Sequence, residues 1–458
     1  MIIKAGKVSK VWYERAIKLI FMTKYKRILI SGQYFHRRSG GGITLSNLFA
    51  GWDKNKIAVV APNIQAPSFD ICDNYYQLGQ CEFKSRFPFN LMPARNQNYS
   101  GLLSHSKTTA ITEHSISKRK SFLRGIYEFL MYSTGLILYR KKFVLSTSLL
   151  NWLHSFKPEI IYSQLSSLEE IRIIEKLKHE LKLPLVIHIM DDWPSTIRNS
   201  YFPKYIWGKI IEKKFINLIT DAELLMGISE PMQDEYYIRY GLTFIPFHNP
   251  IDTKLWLTNC KKDYNIGHKN IVLLYSGRFG TGISNSLLEV ANAIEELNSE
   301  GYSIVFQIQT PMLDHELLIK LRQYKCFKLN PVVNYEQIPR IFSNADILLL
   351  ANDFDEKSIT FLRYSMPTKA PEYMISGTPI LVYASEETAI AKFFLQNKCG
   401  YCVTKENNRE IKSAIRFLIG NTEYRKMIGH NAIKLALDKF DSIKVREGFL
   451  TAINDAAR

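Results

Sequence analysis

The sequence has no run of about 18 uncharged apolar residues, the length a helix needs to cross a bilayer. The nearest approach, IYEFLMYSTGLILY at residues 126–139, is too short and contains Glu128. The first residues, MIIKAGKVSKVWYERAIKLIF, lack a continuous apolar core of signal-peptide length and a small-residue cleavage site. The chain is therefore expected inside the cell, either free in the cytoplasm or touching a membrane without crossing it. Cysteine is sparse, six in 458 residues, which excludes a disulfide framework. Only Cys399 and Cys402 stand at CxxC spacing. A redox pair would need a helix directly after the first cysteine, and zinc would need a second pair. Instead Cys402 runs into VTKEN, which reads as a strand end. Acidic residues are also few, 43 against 60 Lys and Arg, for a net charge of +17. An anionic partner is expected, and a phosphorylated substrate, an anionic membrane surface and nucleic acid all fit. No nucleic-acid recognition module is visible, so that class is set aside.

What is present is alternation. Near-continuous apolar runs of strand length recur: RILISG (27–32), KIAVVAP (56–62), EIIYSQ (159–164), LVIHIM (185–190), AELLMGIS (222–229) and TFIPFHN (243–249). A second set follows: NIVLLYSG (270–277), YSIVFQIQ (302–309), FKLNPVV (327–333), DILLLAN (346–352), PILVYAS (379–385) and GYCVTK (400–405). Such runs suit strands buried on both faces, and helical patterns such as NSLLEVANAIEELNSEG separate them. Two successive β/α arrays predict two Rossmann-like, doubly wound parallel-sheet domains facing across a cleft. The first is placed at residues 1–262, with an irregular insertion at about 64–150, and the second at 263–440. Residues 441–458 are read as a helix returning to the first domain, and the polar stretch 258–270 as the linker.

Candidate ligand groups sit at strand carboxyl ends, where open α/β sheets bind ligands. The first strand leads into Arg37, Arg38 and Gly40-Gly41-Gly42, with a helix expected from Ile43 or Thr44. Glycines allow close backbone approach and the helix start offers free N–H groups, a combination suited to phosphate. It is neither the Walker pattern nor GxGxxG, and a surface turn is the alternative. Gly277-Arg278 ends a strand of the second array, where an Arg fork can pair phosphate oxygens. His188 and Asp191 end another strand, with alternation placing His188 and Met190 on one face and Ile189 and Asp191 on the other. His188 is either a proton-handling group or a satisfied core histidine. In SMPTKAPEYMISGTPILVY (365–383), Glu372 opens a short helix. It either complements the helix dipole or accepts two ribose hydroxyls, with Lys369 toward phosphates. Residues 117–143 carry Lys and Arg at both ends of an aromatic and aliphatic stretch. They read either as an in-plane helix on an anionic leaflet or as a buried helix with basic flanks.

In this order, SGGGITLSNL, HIMDDWP, GISEPMQDEYYIRYG with HNPID, LLYSGRFG and SMPTKAPEYMISGTPILVY resemble the retaining GT-B glycosyltransferases of family 4, in the bacterial surface-polysaccharide branch. The resemblance covers residues 26 to about 440. It implies a nucleoside diphosphate sugar bound on the second domain and a glycan or lipid-linked acceptor on the first. Glu372 matches the ribose-binding glutamate, Arg278 the donor-phosphate arginine, Gly41 and Gly42 the loop over the diphosphate, and Asp191 an aspartate near the reacting sugar. Neither metal nor cofactor is implied, because protein groups stabilise the leaving diphosphate. Two positions depart from the pattern. Tyr364 stands eight residues before Glu372, where the first acid of a Glu-x7-Glu pair is usual; Asp353, Asp355 or Glu356 are the substitutes nearby. Ile283 and Ser284 occupy the region of a second basic residue, whose charge Lys369 could supply. The expectation is sugar transfer with retention, by same-face attack, in the cytoplasm or at the inner face of the cell membrane. The alternatives are a nucleotide-sugar epimerase and a non-catalytic partner of another transferase.

Overall fold

The computed structural model describes residues 25–37, 40–91, 99–104, 122–198, 204–267, 270–310 and 315–458. Arg38 and residues 117–121 of the basic segment lie outside them. Among the described residues, ten strands fall before the linker: β1 (Ile28–Ser31), β2 (Ile57–Pro62), β3 (Asn74–Leu78), β4 (Phe83–Ser85), β5 (Gly101–Leu103), β6 (Lys141–Phe143), β7 (Ile160–Ser163), β8 (Leu185–Ile189), β9 (Leu224–Gly227) and β10 (Ile245–Pro246). Six follow: β11 (Ile271–Ser276), β12 (Ile304–Gln309), β13 (Phe327–Leu329), β14 (Ile347–Ala351), β15 (Ile380–Tyr383) and β16 (Tyr401–Val403). The second sheet runs β13-β12-β11-β14-β15-β16, all parallel. Relative to its first strand this is the order 3-2-1-4-5-6 of doubly wound nucleotide-binding sheets. The first sheet, β10-β9-β8-β7-β1-β2-β3-β5, repeats that order and adds antiparallel β5 at one edge and parallel β10 at the other.

The strands are held by burial on both faces. Every residue of β1, β7 and β8 is buried, and Ile28, Leu29 and Ile30 expose nothing. Each sheet reverses strand order once, between β1 and β7 in the first and between β11 and β14 in the second. The crevices at these reversals open beyond Ser31 and Ser163, and beyond Ser276 and Ala351.

The insertion that the sequence left unassigned supplies β3 and β5 to the sheet edge and a separate β4–β6 antiparallel pair. The helix Phe122–Ser133 and the short helix Leu136–Tyr139 lead into β6. Phe129, Leu130 and Tyr132 are exposed here, at 70%, 52% and 58%, while Met131 between them is buried.

After residue 440 the chain returns to the first domain. Helix Ser442–Ala456 packs on helix Gly40–Leu48, and Phe449 meets the edges of Phe49, Tyr162 and Phe247 at centroid distances of 5.2, 5.9 and 5.5 Å. A fully buried ring in three edge-on contacts leaves a large void when truncated. Phe449→Ala should lower stability by about 3–5 kcal/mol in denaturant titration.

Candidate functional site

The second domain's wall of the cleft begins where β11 ends. Gly277 adopts φ +153°, and a Cβ there would lie 2.8 Å from Lys369 Nζ. Glycine therefore lets the lysine lie against the strand end. Lys369 Nζ stands 3.7 Å from the Tyr275 ring centroid and 5.9 Å from that of Tyr373. Burial and the neighbouring Arg278 charge push its pKa well below the usual lysine range, while Glu372 opposes that. Arg278 is exposed, and its Nη1 points back toward the carbonyl of Thr281 at 3.2 Å. The Tyr275 hydroxyl donates to the Arg278 carbonyl at 2.6 Å, which holds the loop after β11.

Glu372 is 8% exposed in helix Ala370–Ser376. Its Oε1 accepts from the Tyr335 hydroxyl at 2.8 Å. Burial pushes the Glu372 carboxyl up to about 7, against the pull of the Tyr335 hydrogen bond and the charges of Arg37 and Lys369. Arg37 belongs to the opposite domain, and its guanidinium carbon lies 5.4 Å from the Tyr335 ring centroid.

The first domain's wall is the turn after β1 and helix Gly40–Leu48, which starts at the first of the three glycines. A Cβ on Gly41 would meet Gln33 Nε2 at 2.6 Å and Gln164 Oε1 at 3.3 Å, and one on Gly42 would meet the His36 ring at 2.5 Å. The groups lying over these two glycines are thus protein side chains. Gln164 is 3% exposed, and neither amide atom has a hydrogen-bond partner among the described residues. A Cβ on Gly40 would meet Thr368 of the other domain at 3.2 Å.

Asp191 and His188 separate as strand alternation requires. Asp191 faces the second domain and accepts from Ser365 Oγ at 2.8 Å. Burial raises its pKa, while Ser365 and the Arg278 charge lower it. His188 lies inside the first domain with no exposed surface, its Nδ1 2.8 Å from the Tyr162 hydroxyl. Burial pushes its pKa down to about 3, so the imidazole stays neutral. Of the two readings the sequence offers for His188, a proton-handling group or a core histidine, its burial and its contact with Tyr162 are those of a core histidine.

Asp192 is structural. It is 1% exposed, accepts from the Tyr236 hydroxyl at 2.9 Å and pairs with Arg239 Nη1 at 3.0 Å. Tyr364 turns its ring toward Arg239, 5.3 Å from the guanidinium carbon. Both lie beside a cavity of about 260 Å³ that Ser195, Thr360 and Arg363 also line. The nearby acids have other duties: Asp353 accepts from the Ser286 amide at 2.8 Å, and Asp355 caps helix Glu356–Leu362 through the Ser358 amide at 3.0 Å. Cys399 and Cys402 are free thiols, each pushed up to about 12 by burial. Among the described residues no three His, Cys, Asp or Glu side chains converge on a metal position. Arg239→Ala would leave Asp192 buried without its cation. Thermal or denaturant unfolding should show a loss of about 3–5 kcal/mol.

Tyr335, Gln33, Gln164 and Asn249 were not singled out by sequence. Asn249 is 2% exposed and joins the domains: its Nδ2 donates to the Thr368 carbonyl at 2.9 Å, and its Oδ1 accepts from Asn47 Nδ2 at 2.9 Å. The available signal was position, since Gln33, Gln164 and Asn249 all follow strands of the first sheet.

Solved structures share this architecture. Anabaena HepE in complex with UDP and glucose is similar at 13% identity over 94% of this chain and 100% of its own, with a TM-score of 0.59. Sucrose-phosphate synthase from Thermosynechococcus elongatus has 12% identity, covers 95% of this chain and 100% of its own, and has a TM-score of 0.59. WaaG, a glycosyltransferase involved in lipopolysaccharide biosynthesis, has 12% identity, covers 92% and 98%, and has a TM-score of 0.55. No curated protein sequence matches the chain. The fold is the GT-B fold, two α/β domains with parallel sheets. Residues 259–435 match the family described as "Glycosyl transferases group 1", a stretch containing Arg278, Lys369 and Glu372, and this supports a GT-B glycosyltransferase.

Proposed function

We propose that this protein transfers a sugar from a nucleoside diphosphate sugar to a glycan or lipid-linked acceptor, with retention and without a metal, in cell-surface polysaccharide synthesis. The observation that carries the reading is one wall of the cleft. A buried carboxylate, Glu372, stands beside the cations Lys369 and Arg278 at the end of β11. That grouping matches a ribose diol joined to a diphosphate. HepE, which shares the fold, was solved in complex with UDP-glucose, and a UDP-sugar is the donor to try first.

In this reading the main barrier is departure of the nucleoside diphosphate as charge builds on its oxygens. Arg278 and Lys369 act there, because a cation in a partly dry cleft gains most when that charge is largest. Lys369 gains further: a bound diphosphate offsets the burial and the Arg278 repulsion that depress its pKa. Asp191, held by Ser365 across the cleft, faces the reacting sugar and orients it. The acceptor's hydroxyl attacks on the face the diphosphate leaves, which retains configuration. Its sugar lies against the first domain near Gln33 and Gln164, beside Gly41.

The protein also makes peripheral contact with an anionic membrane in this reading. Exposed Phe129, Leu130, Tyr132, Leu136 and Tyr139 stand in the chain beside exposed Lys141 and Lys142. Among the described residues no helix is long and apolar enough to cross a bilayer, so contact would be from one side.

Three measurements test these assignments. Thermal shift across nucleotide sugars should raise the melting temperature for the true donor, and no shift with any would count against the donor reading. Arg278→Ala should cut turnover by about 10²–10³-fold, and an unchanged rate would remove Arg278 from the mechanism. The wild type should float with anionic liposomes at low salt and lose that on Phe129→Glu with Leu130→Glu; failure of the wild type to float would sink the membrane contact.

A further inference from the structure

A carboxylate offers two oxygens and about four lone-pair sites. One oxygen of Glu372 has a protein partner in the Tyr335 hydroxyl, at 2.8 Å. Tyr335 lies in the 3-10 turn Tyr335–Gln337 after β13, which Asn334 and Gln337 close reciprocally as a capping box. The fully buried Trp256 meets the Tyr335 ring edge-on at 6.4 Å. Arg37 of the opposite domain stacks over the ring at 5.4 Å. The phenol that touches Glu372 is thus fixed by its own turn, a buried indole and a cation from across the cleft.

We propose that Tyr335 is a positioning residue for the donor: it holds Oε1 of Glu372 so that the other carboxylate oxygen faces the ribose, and through Arg37 it ties that grip to the opposite domain. The inference rests on the nucleotide-sugar reading of the cleft. Its physical basis is the protonation state of a buried acid. Ribose hydroxyls donate to an ionised carboxylate, whereas a neutral carboxyl group loses one acceptor site to its own proton. Burial favours the neutral form. A hydroxyl donating to the charged form opposes that. Tyrosine suits the task because its ionisation is pushed far upward here, so it remains a donor at working pH.

The groups acting on Glu372 are Tyr335 from the turn, Arg37 from the first domain and Lys369 from the preceding loop, all of which favour the charged form. The adjacent Tyr373 stays protonated, its pKa raised by burial. The sign follows directly. Glu372 has a raised pKa, near 7, so its contribution to donor binding is strongest above that pH and weakens as pH falls through it. Lys369, held well below the usual lysine range by burial, contributes in the opposite sense. Removing the Tyr335 hydroxyl takes away a donor to the charged form. The carboxyl pKa then rises further and the binding curve moves to higher pH.

The test is calorimetric titration of the full chain with UDP-glucose from about pH 5.5 to about pH 8.5, a range in which the sugar nucleotide's own phosphates do not titrate. Relative to Glu372→Gln over the same range, the wild type should gain affinity with rising pH around a midpoint near 7. Tyr335→Phe should displace that midpoint upward by about one pH unit and weaken binding roughly fivefold at about pH 7, approaching about tenfold at the acid end and converging on the wild type at the alkaline end. Glu372→Gln should bind weakly with no such pH dependence, which assigns the titration to this carboxylate. A melting curve of Tyr335→Phe shows that it is folded. Uniformly weaker binding by Tyr335→Phe, with an unmoved midpoint, would overturn the proposal by reducing Tyr335 to a packing residue. So would a Glu372→Gln curve that still rises with pH. Absence of UDP-glucose binding by the folded wild type would instead count against the donor reading, and the role of Tyr335 would fall with it.

Discussion

The segment Tyr364–Glu372 is hydrogen-bonded to both domains, and the geometry of the cleft depends on it. The Tyr364 carbonyl accepts from Ser229 Oγ at 2.6 Å, Ser365 Oγ donates to Asp191, and the Thr368 carbonyl accepts from Asn249, all three partners lying in the first domain. On its other side Lys369 lies on Tyr275 and Glu372 on Tyr335, both in the second. One stretch of chain thus carries the cation and the carboxylate of the proposed donor site while being fixed to the opposite wall. A hydrogen bond contributes about 1 kcal/mol net, and about 1.5–3 kcal/mol where one partner is a carboxylate such as Asp191. Three of them at one seam can hold the domains in register and still release them when a ligand offers better partners.

The electrostatics of this seam are arranged around unfavourable burial. Lys369 is held below its ordinary range and Glu372 above its own, mainly because each is shielded from water. Such opposed displacements concentrate where a protein handles a charged ligand, because the ligand restores what burial removed. Asp192 shows the contrast. It is as buried as any group in the cleft, but Arg239 and Tyr236 satisfy it, and its duty is to hold helix to helix. Adjacent aspartates in the sequence therefore do different work: Asp191 bonds across the cleft to Ser365, and Asp192 bonds within the first domain to Arg239 and Tyr236.

The sheets were legible in the sequence because parallel strands buried on both faces leave unbroken apolar runs, and each run quoted from the sequence contains one of the strands. The insertion was not legible. Its strands β4, β5 and β6 are three residues each, too short for any period to register, and β6 begins with two lysines. At the site, Glu372 stood out because a carboxylate opening a helix after a Pro-bounded turn, at a strand–turn–helix unit, either complements the helix dipole or meets a ligand. Its partner Tyr335 did not, since it lies 37 residues away in a turn and only the sheet order brings the two together. His188 shows the converse. Its residue type suggested proton chemistry, but alternation along β8 had already put it on the face opposite Asp191, and the structure follows the alternation.

The central claim is that a nucleotide sugar lies along Glu372, Lys369 and Arg278. A crystal structure of the protein soaked with UDP tests it most directly. The account predicts ribose hydroxyls on the free oxygen of Glu372, Tyr335 still donating to the other, and the diphosphate between Lys369 and Arg278. A nucleotide bound elsewhere, with Glu372 touching only Tyr335, would contradict it.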